Sequence, residues 1–236
     1  ELYTGADVET KSAFEIEGKK KLIKSVKQAI KPKPNSKILG VRFKLWLYFW
    51  GDKPKKEKGF RNWVKNKLGE PPVLLSQVNP AATSEIINAK IFNQGFFKSN
   101  VSFEVIENEK KKEAKINYIL LLDQPFVIKS ISFDKLQDTA IKRLVLENTK
   151  KSLINVGSTY DLDLLRKERV RLDDILKNHG YFYFSPDYFY FKIDTSSKEN
   201  NLDIYLAIKE DAPQRALKKF GIGRVLVEID SSVYDD

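Results

Sequence analysis

The chain has 236 residues, 42% of them apolar, a formal net charge of +10 and no cysteine. That is enough apolar material for one large or two small cores and excludes wholesale disorder, while the missing cysteine excludes disulfides, thiolate nucleophiles and thiolate metal sites. The longest apolar run, LWLYFW (45–50), falls far short of the roughly 18 residues of a membrane-spanning helix.

In chain order, LYTGADVETKSAFEIEG (2–18) alternates as an extended segment, with Leu2, Val8, Phe14 and Ile16 expected on the buried side. Nothing in it resembles a signal peptide, and a start at Glu1 is expected to reflect processing or trimming. KKKLIKSVKQAI (19–30) sets Leu22, Ile23, Val26 and Ile30 at helical spacing until Pro32 and Pro34 stop it. Residues 31–78 read as an insertion, and Asn79-Pro80 opens the next helix as a cap followed by proline. Two alternating strands follow, VSFEV (101–105) and INYILLL (116–122), joined by the polar loop ENEKKKE (107–113).

The order then repeats. FVIKSISF (126–133) reads as a strand and DTAIKRLVLENT (138–149) as a helix. TYDLDLLRKERVRLDDILKNHG (159–180) contains a second helix capped by Thr159 or Asp161, and YFYFSPDYFYFKI (181–193) and LDIYLAI (202–208) read as strands. IGRVLVEI (222–229) matches the first strand of the repeat, so residues 212–236 are expected to be a connector and the start of an incomplete third module. Modules 1–124 and 125–211 would thus each run strand, helix, helix, strand, strand. The copies share a helix-to-strand turn: apolar residues stand four and eight positions before Gly95 (Ile91, Ile87) and before Gly180 (Leu176, Leu172). Asn93 and Asn178 keep the same offset, and Phe96-Phe97 or Tyr181-Phe182 follow. Glycine there suits a helix C-terminus, because it reaches the left-handed conformation without steric cost.

This order and these NxGFF and NxGYF turns resemble POTRA domains, the periplasmic repeats that precede the barrel of BamA and TamA relatives. LYTGADV (2–8), PNSKILGVRFKLWLYFW (34–50), GEPPVLL (69–75) and residues 160–191 are similar to the N-terminal part of BamA/TamA-family proteins of Bacteroidetes, of the TamL type. The resemblance implies an α+β fold, tandem three-stranded mixed sheets each covered by two helices. It also implies a non-enzymatic periplasmic region of an outer membrane protein, without cofactor or metal, that receives unfolded outer membrane proteins by β-augmentation on edge strands. The alternative it implies is a docking platform for a TamB-like protein or an accessory lipoprotein. Residues 31–78 depart from a simple POTRA.

The family's open edge points to about 98–106 and 181–192, hence to Val101, Phe103, Tyr183, Tyr188, Phe189, Tyr190 and Phe191 as candidate client contacts. The aromatic run could equally pack between modules or fill a core. The insertion carries twelve Lys and Arg against Asp52, Glu57 and Glu70, a net of +9. It interleaves Phe43, Trp46, Tyr48, Phe49, Trp50 and Trp63 with Lys53, Lys55 and Lys56. Three readings stay open for it: buried aromatics under a solvated basic face, contact with anionic lipid, and contact with an acidic partner. Nucleic acid is not expected, since no basic helix or zinc module accompanies the pattern. The lone histidine, His179, sits at a helix-ending turn, and no residues combine nucleophile, base and orienter.

Overall fold

The computed structural model describes residues 1–13, 15–16, 19–52, 59–196 and 199–227. The chain divides into two units, Glu1–Pro125 and Phe126–Asp236. The first contains β1 (Leu2–Lys11), α1 (Lys19–Ala29), α2 (Phe43–Gly51), α3 (Phe60–Lys67), α4 (Pro80–Phe92), β2 (Asn100–Asn108) and β3 (Glu113–Leu121). The second contains β4 (Val127–Ser132), α5 (Thr139–Glu147), α6 (Leu162–Asn178), β5 (Phe189–Asp194) and β6 (Asn201–Ile208). Each unit is α+β. The sheets are ordered β1-β3-β2 and β4-β6-β5, with the first strand parallel to the central one and the remaining strand antiparallel to it. Both therefore follow the expected strand, helix, helix, strand, strand order, and α2 and α3 lie inside the first unit's insertion.

Helical periodicity explains the first core. Leu22 and Val26 of α1 and Ile87 and Ile91 of α4 pack on Tyr3, Ile116, Tyr118 and Leu120 of the sheet. Burial, reinforced by the nearby Tyr118, pushes the Tyr3 phenol up to about 12, so both it and its neighbour stay neutral in the core. The second core repeats the scheme with Ile141, Leu144 and Val145 of α5, Leu172 and Leu176 of α6, and Leu206 of β6. Asn79, Asp138 and Asp161 cap their helices by accepting backbone N–H bonds from the first turn.

The shared helix-to-strand turn has one geometry in both units. Gly95 and Gly180 have φ of 90° and 94°. Gly95 N–H donates to Phe92 O and Phe96 N–H to Ile91 O; Gly180 donates to Lys177 O and Tyr181 to Leu176 O. Each is a Schellman closure, and the aromatic ring after each glycine (Phe96, Tyr181) is buried in its unit's core beside Ile91 or Leu176.

Several expectations change. β1 does not bury Leu2 and Val8 as one alternating set. Its register advances from Tyr3↔Ala114 to Ala6↔Ile116, one residue more than β3 supplies, so a bulge lets Tyr3 and then Ala6 and Val8 share the core face. β4 has the same device between Ile128 and Ser130. Phe14 lies outside the described residues. Residues 181–188 are not strand: Ser185 Oγ accepts from Asp187 N–H and Pro186 opens a short 3-10 turn, so β5 begins only at Phe189. Residues 221–227 carry no strand, since no described segment offers them a ladder, and 228–229 fall outside the description. Residues 212–220 pack back on the second unit: Ala216 is in its core and Phe220 N–H donates to Gly180 O at 2.7 Å.

A buried ion pair fixes the segment between α5 and α6. Glu168 accepts from Arg171 at 2.8 and 2.6 Å, from Ser152 Oγ at 2.9 Å and from Leu153 N–H at 3.0 Å. Burial pushes this carboxyl up, but the guanidinium and these donors outweigh it and hold it below its ordinary value of 4.5. A depressed carboxyl contributes stability that is complete above the unfolded value and fades as pH falls through the folded one. Glu168→Gln is therefore expected to cost roughly 3 kcal/mol at pH 7 by denaturant titration, with the gap from wild type narrowing below pH ~4.5. A gap independent of pH would reject this linkage. Gly180→Ala meets both the left-handed φ and a carbonyl, Phe220 O, 3.0 Å from the added methyl. It is expected to lose about 1–2 kcal/mol, or more if Phe220 is pushed away, measured as a fall in Tm.

Candidate functional site

A three-stranded sheet has two edges, and these sheets treat theirs differently. The first strand of each is blunted at its start by the segment that leads into the second helix. Tyr3 N–H donates to Val73 O at 2.8 Å and Leu75 N–H to Glu1 O at 3.0 Å. Ile128 N–H likewise donates to Ser158 O at 2.9 Å and Tyr160 N–H to Phe126 O at 2.9 Å. The bulge that follows twists each strand away from regular pairing. Sequence reasoning missed both caps; the only signal was a short apolar or β-branched stretch (Val73–Leu75, Thr159) ahead of a helix cap.

β2 has neither device. Its nine residues pair with β3 in unbroken register, and among the described residues its outer edge has no backbone partner. Val101, Phe103 and Val105 stand opposite Leu120, Tyr118 and Ile116, on the side the helices cover. α4 packs against part of β2, yet Phe103 stays 38% exposed and Val105 is exposed too. β2 thus offers unpaired backbone and an apolar row together.

β5 is a poorer edge. It has six residues, and Arg169 of α6 donates to its first carbonyl, Phe189 O, at 3.1 Å. The aromatic candidates separate here. Phe189 is fully buried and is a core residue, not a contact surface; Phe191 and Tyr188 pack partly against the same core. Tyr190 is exposed on β5. Tyr183 is exposed in the preceding loop, edge-on to Phe220 at 5.0 Å and under Arg215 at 5.2 Å.

The insertion forms a helical hairpin tied at its root. Asn35 is buried, donating to Pro71 O at 2.7 Å and accepting from Val73 N–H at 3.0 Å; Arg42 reaches Glu113 at 2.8 Å. α2 packs on α3 through Gly51, where a Cβ would stand 2.7 Å from Arg61 O. The reading of buried aromatics under a solvated face is overturned. On α2, Phe43, Trp46 and Trp50 lie at i, i+3 and i+7, stacked at 5.9 and 6.5 Å, and all three are exposed. On α3, Phe60 and Trp63 stack at 5.9 Å, also exposed, and Arg61 lies 4.9 Å over Trp50. Short helices with this many rings cannot bury them all against so small a hairpin. Lys53, Lys55 and Lys56 lie outside the described residues.

Ahead of α2, Ile38 and Val41 exchange backbone hydrogen bonds of 2.8 and 3.0 Å across Leu39-Gly40, both at positive φ (51° and 82°). This is the pattern of a type I′ turn, which favours Asn-Gly. Leucine in the left-handed region costs about 1–2 kcal/mol, yet Leu39 is 99% exposed. Sequence reasoning assigned it no role.

Among the described residues, no three His, Asp or Glu are grouped to hold a metal ion, and no helix is long and apolar enough to cross a membrane. His179 ends α6, its Nδ1 bonded to Ile175 O at 2.7 Å.

No protein-family model and no curated protein matches the chain. Among solved structures, it is similar to POTRA1-2 of the periplasmic domain of Omp85 from Anabaena, at 14% identity, over 88% of this chain and 95% of that one, with a TM-score of 0.37. It is also similar to BamA from Haemophilus ducreyi lacking POTRA domains 1-3, at 15% identity and a TM-score of 0.36, over 67% of this chain and 27% of that one. Haemophilus influenzae BamA POTRA3-5 matches at 14% identity over 89% and 97% of the two chains, with a TM-score of 0.33. The chain thus spans about a quarter of the Haemophilus ducreyi protein.

Native-state hydrogen exchange distinguishes capped from open edges. The amides of Tyr3, Leu75, Ile128 and Tyr160 are expected to be protected, and alternate amides of β2 to exchange as solvated groups. Uniform protection along β2 would show that its edge is covered.

Proposed function

We propose that the chain serves outer membrane protein assembly, as a periplasmic region that receives unfolded β-barrel proteins and relays them by β-augmentation. The observation that carries this reading is β2: nine residues in regular register, with an open backbone edge flanked by Val101, Phe103 and Val105. Main-chain hydrogen bonds along an edge ignore sequence, while an apolar row selects alternating apolar strands, a combination that suits many different barrel clients. The likeness of the sequence to the BamA/TamA family, of the Bacteroidetes TamL type, supports the same role and location. β2 is the main receiving edge, and Tyr190 on β5 is the secondary contact.

The test places photo-crosslinking residues at Ser102 and Glu104, and separately at Phe60, in cells making the full protein. Adducts from β2 with many outer membrane proteins are expected. Phe103→Lys puts a charge into the apolar row and is expected to weaken capture of a peptide with alternating apolar residues about tenfold, with little salt dependence and a modest fall in Tm, since most of the ring is buried. One dominant adduct from the hairpin, with β2 silent, would instead make the chain a docking platform for a TamB-like protein or an accessory lipoprotein.

A further inference from the structure

We propose that the α2–α3 hairpin and the turn ahead of it form a docking site for the surface of an anionic phospholipid bilayer, with Leu39 entering the acyl region. Three independent features of the first unit converge on this. First, several large apolar groups of this hairpin and turn are exposed together: Leu39 is 99% exposed at a turn tip, Phe60 71%, Trp46 55% and Trp63 51%. A protein partner would need a matching concavity for each of them. A fluid bilayer closes around projecting side chains without one.

Second, the charge is complementary to anionic headgroups. Within residues 37–52 and 59–69, Lys37, Arg42, Lys44, Arg61, Lys65 and Lys67 stand against Asp52, which is paired with Lys65, while Arg42 is paired with Glu113 outside this span. Exposed Lys37, Lys44, Arg61 and Lys67 flank the rings. Tryptophan with lysine or arginine is the pairing that favours the headgroup layer, with rings at the acyl boundary and cations on phosphates. Third, the turn is built against its own local preference. A type I′ turn favours asparagine at the position of Leu39, so the fold gains nothing from leucine there, while an apolar tip gains from a membrane.

This inference does not depend on client capture by β2, and a different set of residues tests it. All three tryptophans of the chain, Trp46, Trp50 and Trp63, lie in the hairpin, so intrinsic fluorescence reports on this site with no label. The full chain is titrated with vesicles of phosphatidylglycerol and phosphatidylcholine, and with phosphatidylcholine alone. A blue shift with the anionic vesicles, weakened by salt and quenched by brominated acyl chains, is the expected result. Leu39→Asn keeps or raises Tm, because it suits the turn, and lowers vesicle affinity about tenfold. Phe103→Lys leaves the vesicle titration unchanged. No shift with anionic vesicles at low salt would overturn the proposal, as would equal binding to both vesicles. So would a Leu39→Asn variant that binds like wild type, or a shift produced by polyglutamate and not by vesicles, which would point to an acidic protein partner.

Discussion

Backbone hydrogen bonds at the sheet edges are the constraint on which the rest of this structure depends. Three strands leave two rows of unpaired N–H and C=O groups, and an unblunted row invites another chain to pair with it. In both units the segment before the second helix folds back on the start of the first strand, and a bulge then takes that strand out of regular register. What remains is one regular edge per unit. In the second unit Arg169 occupies the first carbonyl of that edge; in the first no described residue does so. The units share a plan, and the difference at this edge is why we propose β2, and not β5, as the receiving strand.

The cap also explains how an insertion is accommodated between two helices. Chain that leaves α1 must return to β1 before α4 begins, because Val73 and Leu75 supply the cap. Asn35 holds both arms of this detour, bonding Pro71 and Val73, and Glu70 accepts from Ser36 Oγ at 2.6 Å across the same neck. Those donors hold the Glu70 carboxyl below its usual range, against the opposing effect of burial. With the neck closed, the hairpin can vary in sequence at no cost to the core, since its own packing rests on Leu45, Val64 and the close approach at Gly51. Nothing in that packing calls for exposed tryptophans, which is why their presence carries functional weight.

The duplicated helix-to-strand turn was legible in the sequence because one residue type meets one backbone need: glycine at a left-handed C-terminus, with apolar residues four and eight positions earlier. The helices with a clear 3.6-residue stripe and the alternating central strands were legible for the same reason. β1 was not, because a bulge breaks the alternation on which the reading relies: Tyr3 and Ala6 share a face although they are three apart. The first part of the aromatic run, 181–188, was misread as strand because strand preference and burial in a turn favour the same residues, and only Ser185 and Pro186 marked the difference. Phe189 was placed among the contact residues when it is core. The open edge of β2 could be named only through a family likeness, since edge position belongs to strand order and leaves no mark on the strand itself. Leu39 was invisible for a different reason. A single leucine beside a glycine has no meaning until the turn type and its exposure are known.

Strand order also decides whether the two surfaces of the first unit can work at once. The insertion is anchored to β1 through Val73 and Leu75 and to the start of β3 through the Arg42–Glu113 pair. β2 is the opposite edge of the same sheet. A strand added to β2 therefore extends the sheet away from the anchored arm, and a hairpin seated on headgroups does not occupy the edge that a client needs. Their physics differ as well: backbone pairing is indifferent to ionic strength, whereas cations on phosphates are screened by it. Under the two proposals, the first unit is held at a membrane surface by one side of its sheet while the other pairs with an extended chain. That arrangement would give the insertion a use that a simple strand, helix, helix, strand, strand module could not supply.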